Sequence, residues 1–314
     1  YHIGFMQKIV QGMAWVMLKV MRISGSESLA VAANVFVGQT EAPLVVRPYI
    51  SKMTQSELLT MMVGGMATIA GGVLAAYITM LGGGDEARQL FYAKHLLAAS
   101  VMAAPATIVL AKILQPETEE SLTKGDVRIK VEKTATNIIE AAANGAADGV
   151  KLALNVGGML LAFIALISLI NYPLAWVGNI TGLEGLVGQP LSLSLILGYL
   201  LSPLAWIIGI PWEDAIIVGG LIGEKVIINE FVAYMHLADF KDVLSEQSVL
   251  ISTYALCGFA NFSSIAIQIG GIGGLAPNRR SDIASFGLRA VLGGTLATMM
   301  TATIAGVLTQ FIPA

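Results

Sequence analysis

The 314 residues are 55% hydrophobic and 12% charged, with a mean hydropathy of +0.75, whereas a soluble domain carries about 25% charged residues. That balance excludes an ordinary water-soluble globule and points to the lipid bilayer as solvent. A net charge of −3 with no long single-sign run argues against nucleic acid as a partner.

The chain opens at Tyr1 without a basic stretch followed by a short apolar core, so it reads as the continuation of a longer protein and not as a signal peptide. Residues 4–20 form an amphipathic segment. Residues 26–50 follow as a short hairpin around the run Gly38-Gln39-Thr40-Glu41-Ala42-Pro43, with Asn34 just before it. Apolar stretches at 58–81, 91–114, 152–177, 249–272 and 283–312 reach the length a transmembrane helix needs, roughly 20 residues for about 30 Å of hydrocarbon. The first carries Thr68-Ile69-Ala70-Gly71-Gly72 at its centre. Residues 116–144 are the one clearly polar linker, read as a solvated connection. Beyond the stretch at 152–177 come a second amphipathic segment, 191–208, and a second hairpin, 212–235, centred on Asn229-Glu230-Phe231-Val232-Ala233-Tyr234. The stretch 249–272 has Asn261-Phe262-Ser263-Ser264 at its middle, next to the lone Cys257, which cannot form an intrachain disulfide.

Residues 4–81 and 190–273 thus show the same order of parts, which makes them a candidate internal repeat. Hairpin arms too short to cross a bilayer predict re-entrant loops whose tips meet near the midplane. With the first hairpin entering from the cytoplasm, Lys8, Lys19, Arg22, Lys52, Lys112, Lys124, Arg128, Lys130, Lys133, Arg279 and Arg280 fall inside, and Arg88, Lys94 and Lys241 outside. This orientation satisfies the positive-inside rule and brings the second hairpin in from the opposite face. The predicted architecture is an all-α membrane protein of inverted repeats, each with a re-entrant helical hairpin and a broken transmembrane helix, plus a long scaffold helix. Its parts are 1–115, 116–185 and 186–314.

A carboxylate at membrane depth must face water or bonded partners, so Glu41 and Glu230 mark a wet cavity. Gln39, Thr40, Glu41, Glu230, Asn261 and Ser264 together can bond a neutral molecule rich in N–H and O–H groups, such as a sugar or a nucleobase. No Arg or Lys stands at the centre of these runs, although Lys225 lies near, which disfavours a phosphate or carboxylate ligand. The plainer alternatives are that Asn34 and Asn261 cap broken helices and that Ser263 and Ser264 bond backbone carbonyls. Glu27, Glu213 and Asp214 stand at hairpin entrances, where first-turn acids favour the helix dipole. His95 reads as the opening of a helix, structural or exposed, and His236 as the end of a hairpin arm without a metal pattern.

Four segments resemble those of concentrative nucleoside transporters: Gly38-Gln39-Thr40-Glu41-Ala42-Pro43-Leu44, Ser24-Gly25-Ser26-Glu27-Ser28, Lys225 followed by Asn229-Glu230-Phe231-Val232-Ala233-Tyr234, and Tyr254-Ala255-Leu256-Cys257-Gly258-Phe259-Ala260-Asn261. Ser281-Asp282-Ile283-Ala284-Ser285 extends the likeness toward the last helix. The resemblance implies a homotrimeric symporter in the plasma membrane, multi-pass, with each subunit carrying nucleoside by alternating access and the scaffold helix holding the trimer. By the same resemblance Gln39, Thr40, Glu41 and Val73 would contact the nucleobase, and Glu230, Asn261, Ser264 and Phe259 the ribose. Sodium would be the coupling ion, held by the side chains of Asn34, Thr40 and Thr68 and the carbonyls of Val37 and Ile69, with Thr68 standing where the family more often has Ser. Proton-coupled relatives exist, in which Glu41 would titrate. An intramembrane enzyme using Glu41 and Glu230 is the rival class, and no nucleophile with its base or metal cluster accompanies it in the sequence.

Overall fold

A computed structural model describes residues 5–124 and 136–311, all helices and connections, with no strand among them. The first half runs α1 (Phe5–Met21), α2 (Gly25–Asn34), the short turns α3 (Ala42–Val45) and α4 (Arg47–Ile50), α5 (Gln55–Ala67), α6 (Gly71–Gly82) and α7 (Glu86–Leu114). Then come α8 (Ile138–Ile180) and α9 (Leu183–Val187). The second half repeats the order with α10 (Leu193–Ile207), α11 (Trp212–Ile227), α12 (Glu230–Phe240), α13 (Glu246–Ala255), α14 (Phe262–Leu275) and α15 (Arg280–Phe311).

Side-chain caps place most of these starts. Ser24 with Glu27 and Thr54 with Glu57 form capping boxes on α2 and α5, and Asp85, Asn137, Ser192, Asn229, Ser245 and Asn261 cap α7, α8, α10, α12, α13 and α14. The stretch 58–81 is interrupted at 68–70 and the stretch 249–272 at 256–261, so both central helices are split in two. Three stretches are long and apolar enough to cross a bilayer among the described residues: 55–82, counting its two halves together, 86–114 and 277–309.

Several expectations need correction. His95 does not open a helix; α7 begins at Glu86, and His95 Nδ1 lies 2.9 Å from the Tyr254 hydroxyl. Helix α8 starts fourteen residues before the predicted stretch and holds 43 residues, on the order of 65 Å at 1.5 Å each. The linker is solvated only in part. Asp126, Arg128, Lys130, Glu132 and Lys133 lie outside the described residues, but Glu117, Ser121 and Thr123 dock on the start of α2 and α5. The Gly25 amide donates to the Thr123 carbonyl, Ser26 Oγ and Ser121 Oγ donate to the Glu57 carboxylate, and Lys112 Nζ sits 2.6 Å from Glu27 and 3.3 Å from Glu117. Glu27 is thus both a cap, as its position predicts, and half of a buried ion pair.

Helices α10 and α11 meet at 116° through Gly209, whose φ of +105° only glycine adopts without strain. They then pack backbone to backbone: a Cβ on Gly219 would lie 2.7 Å from the Gly198 carbonyl oxygen. Such small-residue contacts are how helices approach closely where no aqueous hydrophobic effect drives them. By contrast α8 leaves Leu161, Leu169 and Tyr172 at 77%, 70% and 81% exposure, an apolar rail beside the folded body. Among the described residues there are two large cores, one around α2, α5 and α15, the other around α6, α7, α11 and α13, and a small alanine cluster of Ala67, Ala103, Ala106 and Ala297.

Candidate functional site

The two helix breaks touch each other. The Phe259 amide donates to the Thr68 carbonyl at 3.3 Å, and the Gly71 amide donates to the Phe36 carbonyl at 3.2 Å, tying the first hairpin tip to the first break. Where a helix is interrupted its backbone groups lose their partners and turn to neighbours or ligands, so a crossing of two breaks gathers polar backbone in one place.

The first tip spans 35–41. Gln39 is buried there: its Nε2 donates to Ser264 Oγ at 3.0 Å, and its Oε1 accepts from Gln268 Nε2 at 3.1 Å. Gln268 Nε2 also reaches the Met62 carbonyl at 2.9 Å. This approach needs the glycine at 65, since a Cβ there would stand 2.8 Å from Gln39 Cβ and 3.0 Å from Gln268 Nε2.

At the second tip, Glu230 opens α12 and is buried. Its Oε1 accepts from the Tyr77 hydroxyl at 2.9 Å and its Oε2 from Asn261 Nδ2 at 3.0 Å. Asn261 is a helix cap, as one sequence reading has it, because its Oδ1 accepts from the Ser264 amide at 2.9 Å. It also accepts from Ser263 Oγ at 2.7 Å, so Ser263 bonds a side chain and not a backbone carbonyl. Tyr77 is held in place by stacking on Tyr234, ring centroids 4.2 Å apart. A continuous hydrogen-bonded row therefore runs Tyr77, Glu230, Asn261, Ser264, Gln39, Gln268, and joins α6, α12, α14 and the first tip.

Glu41 does not belong to that row. It is exposed at the start of α3, with its carboxylate over Gly38 and no capping bond. Thr40 is half-buried and its methyl faces Gly271 on α14. Val73 stands one turn before Tyr77 on α6, and it and the half-buried Phe259 pack against the second core.

Asn34 ends α2 at 0% exposure, and neither its Oδ1 nor its Nδ2 has a protein partner. It therefore does not act as a cap. Gly64 brings it close to Thr107: a Cβ there would lie 3.2 Å from Asn34 Nδ2 and 3.6 Å from Thr107 Cγ2, and the Thr107 hydroxyl is likewise buried and unpartnered. Thr68 Oγ1 donates to the Gly64 carbonyl at 2.9 Å, which leaves its lone pairs to accept. Val37 and the buried Ile69 flank these groups in sequence at the tip and the break. Uncharged hard oxygens of this kind suit a small hard cation.

Tyr77, Gln268 and Thr107 are absent from the sequence reading. Gln268 carried a signal: it is the lone amide on an apolar helix and lies four residues after Ser264, on the same face.

Two family profiles match the chain. One, described as Na+ dependent nucleoside transporter C-terminus, covers residues 95–306, and the other, described as nucleoside recognition, covers residues 1–84. The uncharacterised transporter YutK of Bacillus subtilis is 48% identical over 307 residues, 98% of this chain and 72% of that protein. Human sodium/nucleoside cotransporter 1 is 42% identical over 324 residues, and this chain spans 48% of its length. The solved structure of CNTnw in an inward-facing substrate-bound state superposes with a TM-score of 0.87 at 46% identity, covering 98% of this chain and 71% of that one. An outward-facing variant of CNTnw fits with the same TM-score of 0.87 at 45% identity, covering 100% and 71%. These relatives are transporters and not enzymes, and with its bilayer-length helices this chain is a multi-pass protein of the plasma membrane.

Proposed function

The chain belongs to the Na+ dependent, or concentrative, nucleoside transporter family, and on that premise we propose that it is a sodium-coupled nucleoside symporter working by alternating access. The single observation that carries this reading is the row of amide, hydroxyl and carboxylate groups from Gln39 to Glu230. It is uncharged at the first tip and anionic at the second, which matches a neutral base joined to a sugar with adjacent hydroxyls. Gln39, Thr40, Glu41 and Val73 contact the base. Glu230, Asn261 and Ser264 take the ribose hydroxyls, with Phe259 packed beside the sugar. Bound nucleoside replaces the bonds these groups make to one another, an exchange that costs little because each lost bond is remade.

Sodium is held by Asn34, Val37, Thr40, Thr68 and Ile69. The support is the unpartnered Asn34 carboxamide, whose desolvation costs about 1–3 kcal/mol per unmade bond and is offset by an ion. Ion and nucleoside share the first tip, so each strengthens the other, by about 1–3 kcal/mol. The two hairpins are re-entrant and belong to inverted repeats, 1–115 and 186–314. The part 116–185 supplies the scaffold, α8, whose apolar rail packs in a homotrimer. The repeats move as a body against it, as repeat-built transporters do. Uridine uptake into proteoliposomes tests the whole reading: a sodium gradient accelerates it, adenosine competes and glucose does not. Equal competition by glucose rejects nucleoside specificity, and indifference to sodium rejects the coupling.

A further inference from the structure

Lys225 lies near the end of α11 at 0% exposure, and neither nucleoside nor sodium accounts for it. Its Nζ donates to the Ala255 carbonyl at 2.8 Å and to Thr298 Oγ1 at 2.8 Å. Thr298 passes its own proton to the Thr295 carbonyl at 2.9 Å and so presents a lone pair to the ammonium. Ala255 is the last residue of α13, where the helix dipole is negative, and Glu230 is within coulombic reach. A buried ammonium is costly unless every such partner is in place. What surrounds Lys225 is a seat for a monovalent cation: a helix carbonyl end and a hydroxyl oxygen.

The order of elements pairs α2 with α11, α5 with α13 and α7 with α15. Along that pairing the polar groups correspond. Asn34 ends α2 and Lys225 stands two residues before the end of α11, Thr68 follows the last residue of α5 and Ala255 ends α13, and Thr107 lies within α7 as Thr298 does within α15. In the first half the amide and the hydroxyl are buried and unpartnered, whereas in the second the hydroxyl is engaged by the ammonium. We infer that Lys225 is a tethered cation filling the second half's cation seat, so that the first half takes a mobile ion and the second carries its own. The inference rests on the proposed sodium seat only for the pairing of the two halves.

Amine rescue in the full chain tests it. Lys225→Ala opens a space lined by the Ala255 carbonyl and Thr298. Its uridine affinity falls about tenfold or more, as expected when a buried charge that ties α11 to α13 and α15 behind the second tip is lost, and methylammonium or ethylammonium restores it. The wild type does not respond to either amine. Lys225→Met keeps the shape without the charge, so it loses a similar factor and no amine restores it. The same rescue in Lys225→Ala combined with Asn34→Ala separates the two seats: an amine response that persists there stands even if the sodium assignment fails. Lys225→Met binding uridine within threefold of wild type overturns the inference, as does a folded Lys225→Ala that no monovalent cation restores. If Lys225→Ala does not fold, the affinity of Lys225→Met decides by itself.

Discussion

The two hairpin tips solve the same problem in opposite ways. At the second, Glu230 has Tyr77 and Asn261 as donors, Asn229 spends its Oδ1 on the Val232 amide, and Lys225 is bonded twice. At the first, Asn34 makes neither of its bonds, Thr107 keeps an idle hydroxyl, and Gln268 Oε1 is unpartnered. With the charged groups bonded and Asn229 Nδ2 alone left over beside Glu230, the second tip is largely fixed before any ligand arrives, and low local dielectric makes each bond count for more. Unsatisfied buried groups do the reverse, since they gain only when something else binds. The comparison therefore assigns rigidity and charge to the second tip and ligand dependence to the first.

The bluntest way to break that contrast is Glu230→Gln. The new amide cannot accept with full charge and turns a donor toward Tyr77 or Asn261, both donors already. Two charge-assisted bonds to ribose hydroxyls, at about 1.5–3 kcal/mol each, put the loss of uridine affinity near 10³-fold. Calorimetry on the purified protein reads it, and a loss under tenfold would show that the second tip is not where the sugar binds. Next comes the base of the first hairpin, where Lys112→Met leaves the Glu27 carboxylate, 1% exposed, without its cation. An unpaired buried charge costs about 3–5 kcal/mol, and the lower end applies because Lys112 is partly exposed. Unfolding followed by SDS titration measures this. The second hairpin's base, held by Asp214 accepting from Ser245, is exposed, and Asp214→Ala changes the same transition by about 1 kcal/mol or less.

Asn34→Ala sharpens the contrast at the first tip. It removes an amide that bonds nothing in the protein, so stability without sodium stays level or rises, while the sodium concentration needed for half-maximal uridine binding increases about tenfold. A variant that is merely unstable, with unchanged sodium dependence, would show Asn34 to be structural.

Much of this site was legible because its residues are out of place. Gln39, Glu230, Asn261 and Ser264 are hydrogen-bonding groups inside apolar runs, and such groups at membrane depth demand partners. The tip that unites them was legible as a Gly and a Pro around polar residues. Tyr77 was not, because a tyrosine in an apolar helix looks the same whether its hydroxyl meets a carboxylate or a headgroup. Thr107 was hidden for a similar reason: a threonine usually bonds back within its own helix, as Thr60 and Thr253 do here. The first helix break falls at 68–70, inside the run 68–72 at the centre of its stretch, while Gly71-Gly72 open α6. Glycine permits a break, but here the Thr68 hydroxyl bond and the contact with Phe259 set its place. The docked part of the linker was illegible too, since Ser121 and Thr123 in a charged run carry no sign of what they touch.

Tyr77→Phe is the finest probe. It keeps the ring stacked on Tyr234 and in edge contact with Phe231, and deletes a single donor to Glu230. The freed carboxylate lone pair is then open to the ribose, which recovers part of what the lost bond contributed. The net weakening of uridine binding is about threefold to tenfold, well short of Glu230→Gln. Sodium dependence stays unchanged, because the hydrogen-bond and ring partners of Tyr77, namely Glu230, Phe231 and Tyr234, all belong to the second tip. A shift in half-maximal sodium as large as that of Asn34→Ala would mean that the row of bonds from Tyr77 to Gln268 transmits between the tips, and the two regions would then have to be treated as one.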